Sequence, residues 1–290
     1  MYSANFDYHR ARSLADVHRL LAANPGAKLL AGGHSLIPLM KLRLAAPPAV
    51  VDIGRIAELR GISRSGDTIR IGALTTHAEI AASADVQKAA AALAEAAAVV
   101  GDPAVRNRGT IGGNIAHADP ASDLPTVLVA LDARIVAVGP SGERTVAAEG
   151  FFTGIMTTTL ADDEVLTAIV LPAAARGEGS AYVKFSHPAS RYAVIGVAAS
   201  LIVGNNQCSA ARVALGGLVP SARRAASVEK ALVGKDLETA AIGAAAAKVG
   251  SDLGGDVTGD IFASASYRKA VAPVYVKRAI AAAAARAGLA

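Results

Sequence analysis

Apolar residues in this chain come in short runs, separated by clusters of glycine, proline and small polar residues. Residues 13–23 begin with a serine and carry an acid in the first turn, which predicts a helix with a side-chain N-cap. The apolar runs 27–31 and 49–53 are short and bounded by Gly or Pro, which predicts strands. With a helical return over 35–44 between them, the first fifty residues predict a β-α-β-like unit.

A second unit begins near residue 62, where turn signals separate further short elements. A hairpin is indicated around the Gly-Pro-Ser-Gly sequence at 139–142. A threonine at 75 or 76 is placed to cap a helix that reaches residue 81. The other predicted elements of this unit are strands at 61–64, 68–72, 134–138, 144–147 and 164–171, and helices at 86–100 and 123–131.

Residues 172–179 are small, polar and flexible, which indicates a domain boundary. Three antiparallel strands are predicted beyond it, at 181–185, 193–203 and 207–215, with a Gly-Asn-Asn hairpin turn at 204–206. The remainder predicts helices at 222–233, 236–249 and 267–287. The expected organisation is a pair of subdomains, 1–56 and 57–176, followed by a C-terminal domain, 177–290.

Composition narrows the functional class. The 290 residues carry a net charge of +5, their Lys and Arg residues are scattered, and only 4% are aromatic. These values disfavour a nucleic-acid surface. The single cysteine, Cys208, excludes an internal disulfide and an iron–sulfur cluster held by four thiolates of this chain. No secretory or membrane-spanning segment is indicated, so the expected location is the cytoplasm.

Two glycine-paired loops are the most informative feature of the sequence. The first contains Gly32 and Gly33, followed by His34 and Ser35, between a predicted strand and a predicted helix. Consecutive backbone N–H groups without Cβ atoms, near a helix N-terminus, suit an anionic pyrophosphate. The alternative is a tight turn that needs two glycines for positive φ.

The second loop contains Gly112 and Gly113 between Thr110 and Asn114 and is followed by Asp123, and it is expected to offer consecutive backbone N–H groups in the same way. The hydroxyl and the amide add polar groups, and a carboxylate at 123 is placed to accept from ribose or adenine. The alternative is that Asp119 and Asp123 cap a turn and a helix start. Neither loop fits Gly-x-Gly-x-x-Gly and no Walker lysine is present, which disfavours an ordinary Rossmann or P-loop site.

No catalytic constellation and no metal site are predicted. The six histidines lack metal-ligand spacing, and the Gly-x-Ser-x-Gly hydrolase motif is absent. The chemistry is therefore expected to belong to a cofactor.

The two glycine loops and their flanking segments are similar to the sequence motifs of a known family. The segment 31–43, Ala-Gly-Gly-His-Ser-Leu-Ile-Pro-Leu-Met-Lys-Leu-Arg, followed by Val-Asp-Ile at 51–53, resembles the medium, FAD-binding subunit of molybdenum hydroxylases. The segment 109–125 is similar to the second signature of that family. Within that family, the chain resembles in particular the medium subunits of aerobic carbon monoxide dehydrogenases and related aldehyde oxidoreductases. The resemblance covers nearly the whole chain and includes Tyr-Arg-Lys at 267–269.

The resemblance implies an α+β fold of the vanillyl-alcohol-oxidase (PCMH) type, with two FAD-gripping subdomains and a C-terminal domain containing a three-stranded antiparallel sheet and helices. It implies that Asp123 lies near the adenosine half of FAD and that Tyr192 covers the isoalloxazine. The alternative for Tyr192 is a strand residue at the edge of the C-terminal core. The residues that it assigns to FAD in the two loops are Ala31, Gly32, Gly33, His34, Ser35 and Leu36, and Thr110, Ile111, Gly112, Gly113 and Asn114.

The implied function is electron transfer through FAD. Partners would be a molybdenum-cofactor large subunit and a small subunit with two [2Fe–2S] clusters, assembled as a dimer of heterotrimers, with an external acceptor. Two alternatives stay open at this point. One is a self-sufficient FAD oxidoreductase with its own substrate site, and the other is a non-catalytic nucleotide-binding assembly subunit.

Overall fold

The computed structural model describes residues 2–205 and 207–288, which form three main sheets with helices packed between and around them. Asn206 of the predicted hairpin turn lies outside the described residues.

The first sheet is parallel and has three strands in the order β1-β3-β2. The predicted β-α-β unit is confirmed, since β2 pairs in parallel with β3. Ser13 caps the first helix, with its Oγ accepting from the Asp16 amide at 3.2 Å. The edge strand β1 has no apolar run and was not predicted. The elements are β1 (Asp7–Arg10), α1 (Leu14–Ala23), β2 (Lys28–Leu30), α2 (Leu36–Lys41) and β3 (Ala49–Asp52).

The core beneath this sheet is completed by the second unit. Val17, Val51 and Ile56 are fully buried there together with Leu74 and Val165, which come from later in the chain. The first fifty residues therefore do not close a core of their own.

The second unit contains a five-stranded antiparallel sheet with β10 at its centre, in the order β4-β5-β10-β6-β7. Its helices bury Ile, Leu, Val and Ala side chains against one face of the sheet. A 3-10 turn at Ala57–Leu59 precedes it. The elements are β4 (Ile62–Ser65), β5 (Thr68–Gly72), α3 (His77–Ala82), α4 (Ala84–Ala89), α5 (Ala91–Val99), α6 (Pro103–Arg106), α7 (Ile111–His117), α8 (Asp123–Ala130), β6 (Arg134–Gly139), β7 (Gly142–Ala147), α9 (Ala148–Phe151), β8 (Phe152–Gly154), β9 (Thr157–Thr158) and β10 (Val165–Pro172).

The prediction of one helix over 86–100 was wrong. The chain breaks at Ala90, which has φ −152° and ψ 58°, so that α4 and α5 are separate helices. The Ala92 amide, near the start of α5, donates to the Ser180 hydroxyl of the C-terminal domain at 3.2 Å. This bond satisfies an amide that has no partner within the helix because the helix begins there. An alanine-rich run carries no local signal for such a break.

The C-terminal domain has three long antiparallel strands, as expected, and a two-residue fourth strand at the edge. The helices cover one face of this sheet and form a second large core with it. The elements are β11 (Glu178–Ser186), β12 (Ala193–Gly204), β13 (Gln207–Gly216), β14 (Arg223–Arg224), α10 (Ala226–Leu232), α11 (Thr239–Ala246), α12 (Val249–Asp252) and α13 (Ala265–Arg286).

The second unit and the C-terminal domain are in close contact through α8. Gly216 at the end of β13 has no room for a Cβ, because the Thr126 hydroxyl occupies that position. Helix α8 packs against β12 and β13, and Asp123 in its first turn is bonded to Tyr182 and Lys184 of β11. No helix in the described part of the chain is long and apolar enough to cross a membrane.

Candidate functional site

The two glycine loops lie against each other. A Cβ added to Gly32 would stand 2.9 Å from Gly109 Cα and closer still to the Arg108 carbonyl oxygen. The ideal Cβ position of Gly113 is 3.8 Å from Ala31 Cβ. The structure therefore brings together two motifs that are almost eighty residues apart, as the sequence predicts for a shared ligand.

The first loop keeps its amides free of protein acceptors. Gly33 takes a left-handed φ of +79°, which turns the chain between β2 and α2. Within residues 2–205 and 207–288, the five consecutive N–H groups of 32–36 donate to no protein atom. The His34 ring Nδ1 lies 3.2 Å from the Gly32 carbonyl oxygen. A row of free amides around a left-handed residue is a nest for an anion.

The second loop does not offer such a row, and this part of the interpretation was wrong. Its residues form the first turns of α7 and are bonded within the protein. The Ile111 amide donates to the Thr75 carbonyl at 3.0 Å, and the Gly112 amide donates to the Ala73 carbonyl at 2.8 Å. The Gly113 amide donates to the Thr110 hydroxyl, the N-cap of the helix. The second loop is thus a rigid wall for the first.

Gly112 and Asn114 show how this wall is built. A Cβ at Gly112 would meet the Ala73 Cβ at 2.5 Å, so only glycine lets α7 approach the residue after β5 so closely. Asn114 is partly exposed, and its Oδ1 accepts from the Ser122 hydroxyl at 2.8 Å. Its NH₂ group has no acceptor in the described part of the chain and is available to a ligand.

A buried histidine supports the meeting point of the loops. His77 is 3% exposed, and its ring lies against Gly109, where a Cβ would come within 2.9 Å of the ring. The pKa of His77 is lowered to about 4, mainly by burial and also by charge repulsion from the nearby His34 and Arg106. The ring is therefore neutral at physiological pH. Sequence reasoning did not assign it a role, since its spacing matches no motif.

Asp123 is buried in a polar cluster at the start of α8. Its Oδ1 accepts from the Tyr182 hydroxyl at 2.6 Å, and its Oδ2 accepts from the Lys184 ammonium at 2.9 Å. Burial raises the pKa of Asp123, whereas the Lys184 charge and the two hydrogen bonds lower it. Tyr182 and Lys184 were missed, although their i, i+2 spacing on a strand puts both on one face.

Tyr192 lies just before β12 and is 45% exposed. Partial burial raises the pKa of its hydroxyl, and the charges of Asp119 and Asp123 raise it further, so these carboxylates lie within electrostatic range. The Ala193 amide donates to the Ala121 carbonyl at 3.0 Å. Tyr192 also lines a cavity of about 280 Å³ between the second unit and the C-terminal domain, together with Asp119 and His187.

Asp119 caps a turn, as the alternative interpretation predicts, since its Oδ1 accepts from the Ala121 amide. The single cysteine of the sequence, Cys208, is buried. Among residues 2–205 and 207–288, no group of three His, Cys, Asp or Glu side chains is arranged to hold a metal ion.

Two family profiles cover most of the chain. The family described as "FAD binding domain in molybdopterin dehydrogenase" matches residues 4–174, and "CO dehydrogenase flavoprotein C-terminal domain" matches residues 180–283. The carbon monoxide dehydrogenase medium chain of Hydrogenophaga pseudoflava is 43% identical, over 99% of each chain. The glyceraldehyde dehydrogenase medium chain of Sulfolobus acidocaldarius is 38% identical, over 96% of this chain and 98% of the relative.

Solved structures agree with these matches. A carbon monoxide dehydrogenase from Hydrogenophaga pseudoflava that lacks the Mo-pyranopterin moiety has a chain with a TM-score of 0.94 and 44% identity, over 99% of both chains. Quinoline 2-oxidoreductase from Pseudomonas putida 86 has a TM-score of 0.93 at 33% identity, over 99% of both chains. The resemblance drawn from the two loop motifs is confirmed. The chain belongs to the family of FAD-binding medium subunits of molybdenum hydroxylases and is an oxidoreductase subunit whose cofactor is FAD.

Proposed function

We propose that this chain is the electron-transfer subunit of a heteromeric molybdenum hydroxylase. Substrate oxidation takes place at a molybdenum cofactor in a large subunit, and electrons reach this chain from [2Fe–2S] clusters in a small subunit. FAD held by this chain supplies the redox chemistry that passes them to an external acceptor. Relatives whose names call them a "medium chain" or "complex subunit" support the need for partners. One cysteine in 290 residues supports clusters held elsewhere.

The observation that carries the proposal is the row of five free amides at 32–36, closed against the wall at 110–114. Such a cradle fits a pyrophosphate, because it supplies N–H donors without a counter-charge and leaves no room for added side chains. In this proposal residues 31–36 bind the pyrophosphate, and residues 110–114 shape the opposite side. Asn114 donates to the same ligand from its free NH₂ group.

We assign Asp123 to the flavin end of the site, in preference to the adenosine end that the resemblance implies. The reason is its neighbourhood: the Asp123 carboxylate is bonded to the buried Lys184 ammonium and lies close enough to Tyr192, the residue expected over the isoalloxazine, to raise the pKa of its hydroxyl. Lys184 is buried beside Asp123, with 5% of its side chain exposed. Its ammonium favours added negative charge on a bound ring, and Asp123 fixes where that ammonium stands.

The first experiment is visible absorbance of the purified chain before and after incubation with FAD and desalting, repeated on the complex that it co-purifies with. A near-stoichiometric flavin spectrum in either form supports the proposal, and reduction of that flavin by the complex's own substrate extends it to electron transfer. Reduction by a substrate without partner subunits would instead favour a self-sufficient oxidoreductase. Absence of flavin from both forms would overturn the proposal and favour the assembly subunit.

The relatives do not agree on a substrate. Their names refer to carbon monoxide, glyceraldehyde, nicotine and quinoline compounds at similar levels of identity. We therefore propose that specificity lies in the large subunit, whose identity the co-purified complex would reveal by mass spectrometry.

A further inference from the structure

Arg268, near the start of α13, is a buried cation that lines the cavity beside Tyr192 and has no role in the proposed function. It is 5% exposed. Its Nε donates to the Ala263 carbonyl at 3.1 Å, and its Nη1 donates to the carbonyls of Val194 at 3.2 Å and Gly217 at 2.8 Å. Its Nη2 donates to Asp260 at 2.5 Å. One side chain thus joins four separate points of the C-terminal domain.

Two of those carbonyls belong to residues that line the cavity beside Tyr192. Val194 follows Tyr192 by two residues at the beginning of β12, and Gly217, with φ +80°, comes directly after the end of β13. The Gly217 amide donates to the Pro120 carbonyl at 2.8 Å, next to the 3.0 Å bond from the Ala193 amide to the Ala121 carbonyl. Arg268 therefore bonds to the two strand ends that are hydrogen-bonded to the 119–123 segment.

We propose that Arg268 is a positioning residue that fixes Tyr192 and the 119–123 segment relative to each other, and through them the flavin end of the site. This inference rests on the proposed function. A planar guanidinium can donate in several directions from one fixed plane, which an ammonium at the end of a flexible stem cannot reproduce. Asp260 compensates the buried charge, and the two strand-end carbonyls take the remaining donors of Nη1.

The test compares Arg268→Met with two controls on the same helix. Lys269→Met removes an exposed neighbouring charge, and Val276→Ala opens a cavity in the buried core without touching the strand ends. Measured on the full chain, and on its complex where FAD needs the partners, are the FAD Kd, the flavin midpoint potential and the melting temperature. Hydrogen exchange of the amides at 119–123 and 191–194 is a readout independent of bound FAD.

Arg268→Met is expected to raise the FAD Kd about 10- to 100-fold, the range known for residues that orient the ligands of bound metals. It also shifts the potential and speeds exchange at 119–123 and 191–194. Lys269→Met changes none of these, and Val276→Ala lowers the melting temperature alone. Arg268→Lys recovers part of the loss. If Arg268→Met does not fold, Asp260→Asn, which frees one side of the guanidinium, is expected to give the same shifts at smaller size.

The inference is overturned if the arginine and aspartate variants lose stability but follow Val276→Ala in Kd, potential and local exchange. That result is distinct from failure of the proposed function, in which the wild-type chain and complex bind no FAD.

Discussion

Replacing Gly32 by alanine tests the meeting of the two loops directly. The new Cβ would stand 2.9 Å from Gly109 Cα and closer to the Arg108 carbonyl oxygen, and both obstacles are backbone atoms. The loops must part by roughly 1 Å to restore van der Waals separation. Overpacking of this kind costs about 1–3 kcal/mol, which lowers the melting temperature of a chain of this size by about 2–4 °C per kcal/mol.

Binding is expected to suffer more than stability. A displacement of about 1 Å in positioning groups can cost as much as a hundredfold, so we expect the FAD Kd of the Gly32→Ala variant to rise about 10- to 100-fold. Flavin fluorescence quenching measures it. Gly150→Ala is the matched control, because nothing lies within 4 Å of its Cβ position. Wild-type affinity in Gly32→Ala would refute the idea that the closed cradle binds the cofactor.

Three further predictions concern single side chains. Because the folded chain holds His77 at a pKa of about 4, against 6.5 ordinarily, unfolding takes up a proton at intermediate pH. The free energy of unfolding of the wild type is therefore expected to fall by about 3 kcal/mol more than that of His77→Asn as the pH falls from above 6.5 to 4. Urea unfolding at a series of pH values measures both, and an equal fall in the two proteins would contradict this. Tyr182→Phe removes a donor to the buried Asp123 carboxylate and should cost about 1.5–3 kcal/mol in urea unfolding, whereas Tyr267→Phe, at an exposed residue, should cost almost nothing. Tyr192→Ala should alter the flavin spectrum, potential and acceptor rate of the loaded protein; unchanged values in all three would remove its proposed role.

Much of the fold could be predicted from signals in neighbouring residues of the sequence. The Ser13 cap, the strands on either side of the first loop and the hairpin at 134–147 were predictable because each depends on residues within one or two turns. Strand β1 was not, since Asp-Tyr-His-Arg has no apolar pattern and pairs only because β3 provides an edge. The break at Ala90 likewise depends on a hydroxyl about ninety residues away in sequence.

The candidate site, like the fold, could be predicted from the sequence only in part. The glycine pairs mark both loops, and the left-handed Gly33 agrees with the need for glycine in the first. The sequence cannot tell that the amides of Ile111 and Gly112 are consumed by carbonyls of Thr75 and Ala73, because those partners belong to another element. Buried polar side chains such as His77 and Lys184 are hidden for the same reason: their partners are set by tertiary packing.

The shared core beneath the first sheet has a consequence for biosynthesis. Ile56 packs in a cluster that is finished only by Leu74 and Val165, so the N-terminal unit leaves the ribosome before its last packing partner exists. At about 5–20 residues per second, the intervening hundred or so residues take about 5–20 s to appear. During that interval the first glycine loop also lacks Arg108 and Gly109, the backbone that closes it. During synthesis the first cofactor loop is therefore present without the backbone that closes it, and the apolar residues beneath the first sheet stay uncovered until Val165 has been added.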